Sequence, residues 1–418
     1  MRYQLPKGTR DVLPGDAREW QFAEARFREV CRRYGYEEVR TPAFEHTELF
    51  VRSVGEETDI VRKEMYTFED RSGRSLTLRA EGTAPTVRAY IEHTLGGRDS
   101  GLVKVYYIAP IFRYDRPQKG RYRQHHQCGM EAIGSRDPAL DAEIIDVALA
   151  WWRELGIGGC RVLLNSVGCE QCRPAYREKL RAAIAPLLPQ LCADCRRRYE
   201  TNILRVLDCK EEQCRRATAD VPLMLDHLCG ECAEHFAGVR EALEAMGVQY
   251  EISPRIVRGL DYYTKTAFEV AHDALGAQDV LGGGGRYDGL AEELGGKPAP
   301  GVGAGLGLER ALLVRETLGL RVAGDEQGGC FVAALGAAAR RKGLGLLTML
   351  RQAGVRADID HADRSLKAQL RYADAHGYPY VAILGEDELA RGVVSLRHMD
   401  TGEQREVAVA DLVKQVAG

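Results

Sequence analysis

Hydrophobic and polar residues are patterned most tellingly over residues 103–133. There, two runs rich in Val, Ile, Tyr and Phe flank the turn-forming Pro117-Gln118-Lys119-Gly120. The pattern predicts a long β-hairpin. On its return strand, positions 121, 123, 125, 127, 129 and 131 share one face, because strand side chains alternate sides. That face reads Arg, Arg, His, Gln, Gly, Glu, too polar for core unless it lines a site. Upstream, the Gly- and Pro-punctuated lead-in of residues 1–15 should run extended over the surface. Trp20, Phe22, Ala23, Phe27 and Val30 then recur at helical spacing, predicting a helix over 16–33 that Gly35 stops. Residues 76–93, LTLRAEGTAPTVRAYIEH, read as strand, tight turn and helix. An amphipathic helix over 139–155 ends before Gly156, and 161–168 read as a strand.

The pattern breaks after residue 168 and returns near 240. Between them lies an Arg-rich stretch of helix formers, read as an inserted helical module. Strand-like runs resume over 248–272 and 279–290. In GVGAGLGLERALLV (301–314), glycines at 301, 303, 305 and 307 alternate along a strand. One face is thereby bare, so either a flat ring lies on the backbone or a neighbouring helix packs closely. A helix should begin near Leu308. The composition changes at 321–329, which marks a linker. Beyond it, short apolar strands alternate with helical segments 338–353 and 364–376, implying a small α/β domain with a mostly parallel sheet and a hairpin turning at Asp400-Thr401-Gly402. The expected division is 1–165, an insertion at 166–245, 246–322, and 328–418.

The chain has 418 residues, 45% hydrophobic and 28% charged, enough for two or three domains with sizeable cores. It shows no run long enough for a membrane span and no apolar signal core, so a cytoplasmic location is the default expectation. A formal charge of −3 argues against a generally basic nucleic-acid binder, so any RNA contact must come from local patches. Eight of the twelve cysteines form four close pairs: Cys169 and Cys172, Cys192 and Cys195, Cys209 and Cys214, Cys229 and Cys232. In a reducing compartment these spacings point to metal rather than disulfides. They could make two four-sulfur zinc sites, or one site with spare thiols, or simply serve as small apolar residues.

Local chemistry concentrates in the centre of the hairpin, where Arg113, Arg116, Lys119, Arg121 and Arg123 crowd one connection with Asp115 as the only acid. Arginine forks match phosphate oxygens two at a time. No G-x-x-x-x-G-K-[ST] phosphate loop is present, so arginines must neutralise any polyphosphate. Glu81 and Thr83 lie at a turn, either facing a pocket or serving as an exposed acid and a helix N-cap.

FRYDRPQKGRYRQHHQ resembles motif 2 of the class II aminoacyl-tRNA synthetases in its histidyl form. YEEVRTPAFEHTELF is similar to motif 1, a strand that builds the dimer interface in that family. GVGAGLGLERALLV is similar to motif 3, and RGLDYYT to the segment that supplies the histidyl enzymes' catalytic arginine. The LR-x-EGT segment also matches, although Ala80 stands where many members have Pro. Residues 328–418 resemble the family's anticodon-binding domain. The resemblance implies an α+β catalytic domain with an antiparallel sheet flanked by helices, a helical cysteine-rich insertion and a C-terminal α/β domain. It implies a homodimer that joins histidine to tRNA(His) through a histidyl-adenylate, using ATP and Mg²⁺.

By the same resemblance, Arg113 holds the α-phosphate, Arg121 and Arg310 the outer phosphates, and Arg258 the carboxylate and α-phosphate. Glu131 and Tyr263 pair with the imidazole; Glu81, Thr83 and Gln127 fix the α-amino group, and Tyr287 completes the wall. Arg116 and Gln118 at the hairpin tip meet the tRNA acceptor end. Structural Zn²⁺ is the favoured reading of the cysteine insertion. Two other readings compete. One is the synthetase-like regulatory subunit of ATP phosphoribosyltransferase, expected to lack the C-terminal domain. The other is a zinc-dependent nucleic-acid-binding module, which the acidic balance disfavours.

Overall fold

The computed structural model describes residues 3–97, 101–322 and 329–416. Residues 1–2 of the lead-in and 323–328 of the expected linker lie outside the described residues. The chain divides into two compact units, Met1–Val322 and Ala323–Gly418.

The first unit is built on an eight-stranded sheet. In chain order its strands and those of a smaller sheet are β1 (Glu37–Glu38), β2 (Phe44–His46), β3 (Thr67–Glu69), β4 (Ser75–Leu78), β5 (Val103–Phe112), β6 (Gln124–Ile133), β7 (Arg161–Ser166), β8 (Tyr250–Ile252), β9 (Thr264–Ala271), β10 (Val280–Arg286) and β11 (Gly301–Gly307). The large sheet runs β1-β5-β6-β11-β10-β9-β7-β8, antiparallel except for the two outermost pairs. Strands β2, β4 and β3 form the small sheet.

The hairpin of β5 and β6 is the longest pairing, from Val103 opposite Ile133 to Phe112 opposite Gln124. Its return strand starts at Gln124, so Arg121 and Arg123 precede it and do not share its regular alternation. Arg123 is drawn away: its guanidinium lies 3.7 Å from the Tyr114 ring centre and donates to the Asp115 carbonyl. The stretch expected as one motif 1 strand is instead split. Pro42 carries no N–H for a ladder, and the segment divides between β1 in one sheet, β2 in the other and the helix Thr47–Val54.

One face of the large sheet is covered by the helices Pro14–Arg33 and Pro138–Glu154, with Trp20, Phe27, Val30, Trp151 and Trp152 buried between them and the strands. Asp137 caps the second helix through the Ala139 N–H, and Gly35 and Gly156 adopt positive φ just past the two C-termini. The helix Gly230–Ala245 adds Phe236, Val239 and Leu243 to this core. The remaining insertion has a separate small core in which Tyr176, Leu180, Ile203 and Val206 pack with the cysteines.

The second unit is a five-stranded sheet of β12 (Cys330–Ala334), β13 (Ala357–Ile359), β14 (Tyr380–Leu384), β15 (Val393–His398) and β16 (Gln404–Ala408), ordered β13-β12-β14-β15-β16. The first three are parallel and the last two form the expected hairpin. Helices Ala337–Gln352 and Leu366–Ala375 fall on the predicted segments. No helix among the described residues is long and apolar enough to cross a membrane.

Candidate active site

Five adjacent strands at the centre of the large sheet supply the floor of the site. Across them runs one row, Tyr107, Gly129, Gly305, Gly283 and Glu269, each opposite the next. Three successive glycines leave that row without side chains in its middle. The space is taken up by neighbours. A Cβ at Gly129 would sit 2.0 Å from the Tyr107 ring, one at Gly305 1.8 Å from the Gln127 amide nitrogen, and one at Gly283 2.9 Å from Arg258 Nη1. At Gly303 a Cβ would meet the Glu131 carboxylate at 1.7 Å. The bare face expected of β11 therefore exists, but Gln127 and Glu131 from β6 reach across part of it. The glycines are needed for those side chains to lie over the sheet.

Above this floor the four expected arginines converge. Arg113, Arg121, Arg258 and Arg310 line one cavity of about 310 Å³, together with Gln127 and His125. Each is aimed by a fixed acceptor. Arg113 Nε donates to the Ala80 carbonyl at 2.7 Å, and Arg121 pairs with Asp115. Arg258 Nη1 meets Glu269 at 2.8 Å, and Arg310 donates to the carbonyls of Gly120 and Val280. Burial and the charges of Arg113 and Arg310 press the His125 pKa down to about 3, so its imidazole is neutral. The exposed Arg116 and Gln118 lie on the connection outside the cavity, where Gln118 forms an isolated β-bridge with Arg121.

Beside the arginines lies a buried polar cluster. Glu131, wholly buried, accepts from the Thr83 hydroxyl at 2.7 Å and the Tyr287 hydroxyl at 2.6 Å. Burial pushes its carboxyl up to about 8, against the hydrogen bonds from Tyr287 and Thr83. Glu81 is buried as well, not an exposed acid. Its carboxylate accepts the Thr83 and Ala84 N–H groups at 2.6 and 2.7 Å, so Glu81 caps the helix Thr83–Glu92 and Thr83 is left to face Glu131. Tyr263 packs at a tilt against Tyr262 with ring centres 4.8 Å apart, and its edge covers Gly285, which lies in the same row as Gly303 and Glu131. The residue before Tyr287, Arg286, is fully buried and paired with Asp141, itself bonded to His235 at 3.2 Å.

Four participants escaped the sequence reading. Glu269, Tyr107 and Glu309 sit in apolar runs or at a helix start, where nothing local distinguishes a site residue from packing, and Tyr262 lies within RGLDYYT, which drew attention to Arg258 and Tyr263 alone. Glu269 carried the best signal, an acid within the strand AFEVA. Tyr262 OH reaches Glu81 at 3.4 Å, and Glu309 binds the His126 N–H and imidazole.

The eight cysteines resolve into two clusters with nested pairing: Cys169, Cys172, Cys229 and Cys232, then Cys192, Cys195, Cys209 and Cys214. The sulfur separations are 3.5 Å for Cys169–Cys172, 3.8 Å for Cys169–Cys229, 3.6 Å for Cys172–Cys232 and 3.9 Å for Cys192–Cys209. A tetrahedron with Zn–S bonds of about 2.3 Å has edges of roughly 3.8 Å, whereas a disulfide needs about 2.05 Å. The residues fit zinc.

A family model described as histidyl-tRNA synthetase matches residues 8–311, and one described as an anticodon binding domain matches 329–418. The chain is 50% identical to a histidine–tRNA ligase of Caldanaerobacter subterraneus over 100% of both chains. It is 52% identical to that of Desulforamulus reducens over 98% of this chain and 97% of the relative. Among solved structures, apo histidyl-tRNA synthetase of S. aureus superposes with a TM-score of 0.84 at 36% identity, covering 100% of both chains. Matches that span both units at this identity agree with four arginines set beside a buried acid–phenol pocket: the chain belongs to the histidyl-tRNA synthetase family.

Proposed function

We propose that this protein ligates histidine to tRNA(His) in two steps. The histidine carboxylate attacks the α-phosphorus of ATP, the bond to the β-phosphate breaks, and pyrophosphate leaves. A ribose hydroxyl at the tRNA end then attacks the carbonyl of the adenylate and AMP departs. The observation that carries this reading is the cavity shared by Arg113, Arg121, Arg258 and Arg310. Fixed cations there neutralise charge without reorganising during the reaction. Arg113 and Arg258 act on the α-phosphate, with Arg258 also holding the carboxylate, while Arg121 and Arg310 hold the outer phosphates. Mg²⁺ bound to the triphosphate supplies further charge neutralisation.

Histidine is selected by the buried pocket. Glu131 accepts from one ring nitrogen and Tyr263 pairs with the other. Glu81, Thr83 and Gln127 fix the α-amino group, and Tyr287 orients Glu131. An apolar mimic would leave these groups unpaired, which costs far more than a missing methylene. Arg116 and Gln118 meet the acceptor end, and a cytoplasmic homodimer is the working form. The regulatory-subunit alternative has the anticodon-domain match over 329–418 against it. ATP–pyrophosphate exchange across the twenty amino acids tests the assignment. Exchange should depend on histidine alone, and equal exchange with several amino acids would overturn it.

Each cysteine cluster holds one structural Zn²⁺ with no open position. The first set joins the two ends of the insertion, Cys169 and Cys172 to Cys229 and Cys232, and the second closes the loop from Cys192 to Cys214, so metal ties together a module whose own core is small. Elemental analysis of protein purified without chelator is expected to give two zinc ions per chain. One ion in folded protein would remove one of the two sites, and none would remove both.

A further inference from the structure

We propose that the first cysteine centre, Cys169, Cys172, Cys229 and Cys232, positions the histidine pocket: metal bound there fixes Arg173 and Glu231, and these hold the stretches of chain that carry Tyr263 and Tyr287. The proposal rests on the ligation and zinc readings above.

The points of attachment lie next to the sulfurs. Arg173 directly follows Cys172, and its guanidinium donates to the carbonyls of Val167 and Tyr263. Glu231 directly precedes Cys232 and accepts from Lys265 Nζ at 2.7 Å. Lys265 is buried, and its ammonium also meets Asp288 at 3.2 Å. Asp288 pairs in turn with Arg286 at 3.1 Å. The residues on both sides of Tyr287 therefore belong to one polar chain that begins beside a cysteine. That chain returns to the helix Gly230–Ala245, because Arg286 pairs with Asp141 and Asp141 meets His235.

The backbone of Lys265 carries the mark of this clamp. Its φ is 50°, in the left-handed region that residues with a side chain seldom enter. Such a conformation persists only where the surroundings over-determine it. Here the Lys265 N–H donates to the Gly168 carbonyl at 2.9 Å, and the Lys265 carbonyl accepts the Val167 N–H at 2.8 Å. Val167 and Gly168 lead directly into Cys169. The segment 263–265 is thus gripped between the entry to the insertion and the helix that leaves it.

Metal is what makes the grip firm. The helices Arg173–Ile184 and Gly230–Ala245 begin directly after Cys172 and Cys229, and neither start has a side-chain cap. Instead the Cys229 N–H donates to Cys172 Sγ at 3.3 Å, so one helix start hangs on the sulfur that begins the other. The Glu231 side chain is 57% exposed. An ion pair with so exposed an acid contributes little unless the acid is held in place. Four sulfur–metal bonds fix both helix starts and so hold it.

The test measures binding of histidine and of ATP separately, by calorimetry on the full chain. Lys265→Gly keeps all eight cysteines and suits the backbone, since glycine adopts positive φ readily. It should raise Kd for histidine by about 10- to 100-fold, the range for removing an outer partner of a site, and leave Kd for ATP unchanged. Arg173→Gln should show the same split. Cys229→Ser/Cys232→Ser should lose one zinc by native mass spectrometry and show the split as well, whereas Cys192→Ser/Cys195→Ser should lose the other zinc without it. A merely structural role would lower the fraction of protein that binds and leave both constants alone. Equal weakening of histidine and ATP, or an unchanged histidine constant in folded Lys265→Gly, overturns the positioning claim. An unchanged histidine constant after loss of the first zinc overturns the part given to metal. Should the serine pair not fold, Lys265→Gly and Arg173→Gln still decide the positioning. Stepwise withdrawal of zinc from the unmodified protein by a chelator then reads the metal: histidine affinity should go before ATP affinity, and loss of both together overturns its part. Failure of the two underlying readings is separately visible in the unmodified protein, as absent histidine-dependent exchange or absent zinc.

Discussion

Replacing Arg258 with alanine is expected to lower the rate of histidine-dependent ATP–pyrophosphate exchange by about 10²–10³-fold, the range for removing one preorganised charge-stabilising group. Its guanidinium is held in place by Glu269 at 2.8 Å and has room to lie over the sheet because residue 283 is glycine. The residue also lines the arginine cavity, so part of the fork is left to meet substrate. Charge fixed in a poorly solvated cleft acts strongly on charge that develops beside it. Arg258→Lys should recover only part of the loss, since an ammonium cannot reproduce the planar fork. Steady-state and burst kinetics would measure this, with Tm recorded for each variant. A loss under tenfold in folded Arg258→Ala would remove this residue from the reacting centre.

Glu131→Ala is expected to slow histidine activation by a comparable factor, through selection of the imidazole and not through charge on phosphate. Near-wild-type exchange in that variant would count against the assignment. Glu131→Gln separates charge from shape, and it has a second consequence. Free glutamate titrates near 4.3, while burial raises Glu131 to about 8 in the folded protein. Between those values the native state keeps a proton that the unfolded chain has released. Stability is therefore fully retained at acid pH and falls as pH rises through this window. The unliganded protein should lose Tm between about pH 5 and pH 8 more steeply than Glu131→Gln does. Parallel Tm–pH curves for the two would show that Glu131 is not a high-pKa acid.

Much of the site was legible in linear order. Gln127 and Glu131 announced themselves because polar residues occupied a strand that otherwise read as core, and Arg113 and Arg121 because cations crowded the connection beside it. Gly303 and Gly305 were legible as a missing row of side chains, but not which groups would fill the row. Occupancy by Gln127 and Glu131 follows from β6 and β11 being neighbours, which no local pattern states. Glu81 was ambiguous for the same reason: an acid before a helix can point outward or cap from within, and packing under Tyr262 decides. Arg123, one of the five cations on the connection, is held instead by the Tyr114 ring and the Asp115 carbonyl, which its place in the sequence did not reveal.

Local forces, acting within a turn or a few strand residues, determined the elements. The alternation of β6, the stops at Gly35 and Gly156, the helix at Leu308 and the parallel core of the second unit follow from side-chain period and backbone sterics. Tertiary structure alone decided which elements meet. It drew Arg258 to Arg113, set Tyr287 against Glu131 and paired Cys169 with Cys229 instead of Cys192. These pairings join residues far apart along the chain, so their loop-closure cost is met only by the whole core folding together. No stretch of sequence carries that information by itself.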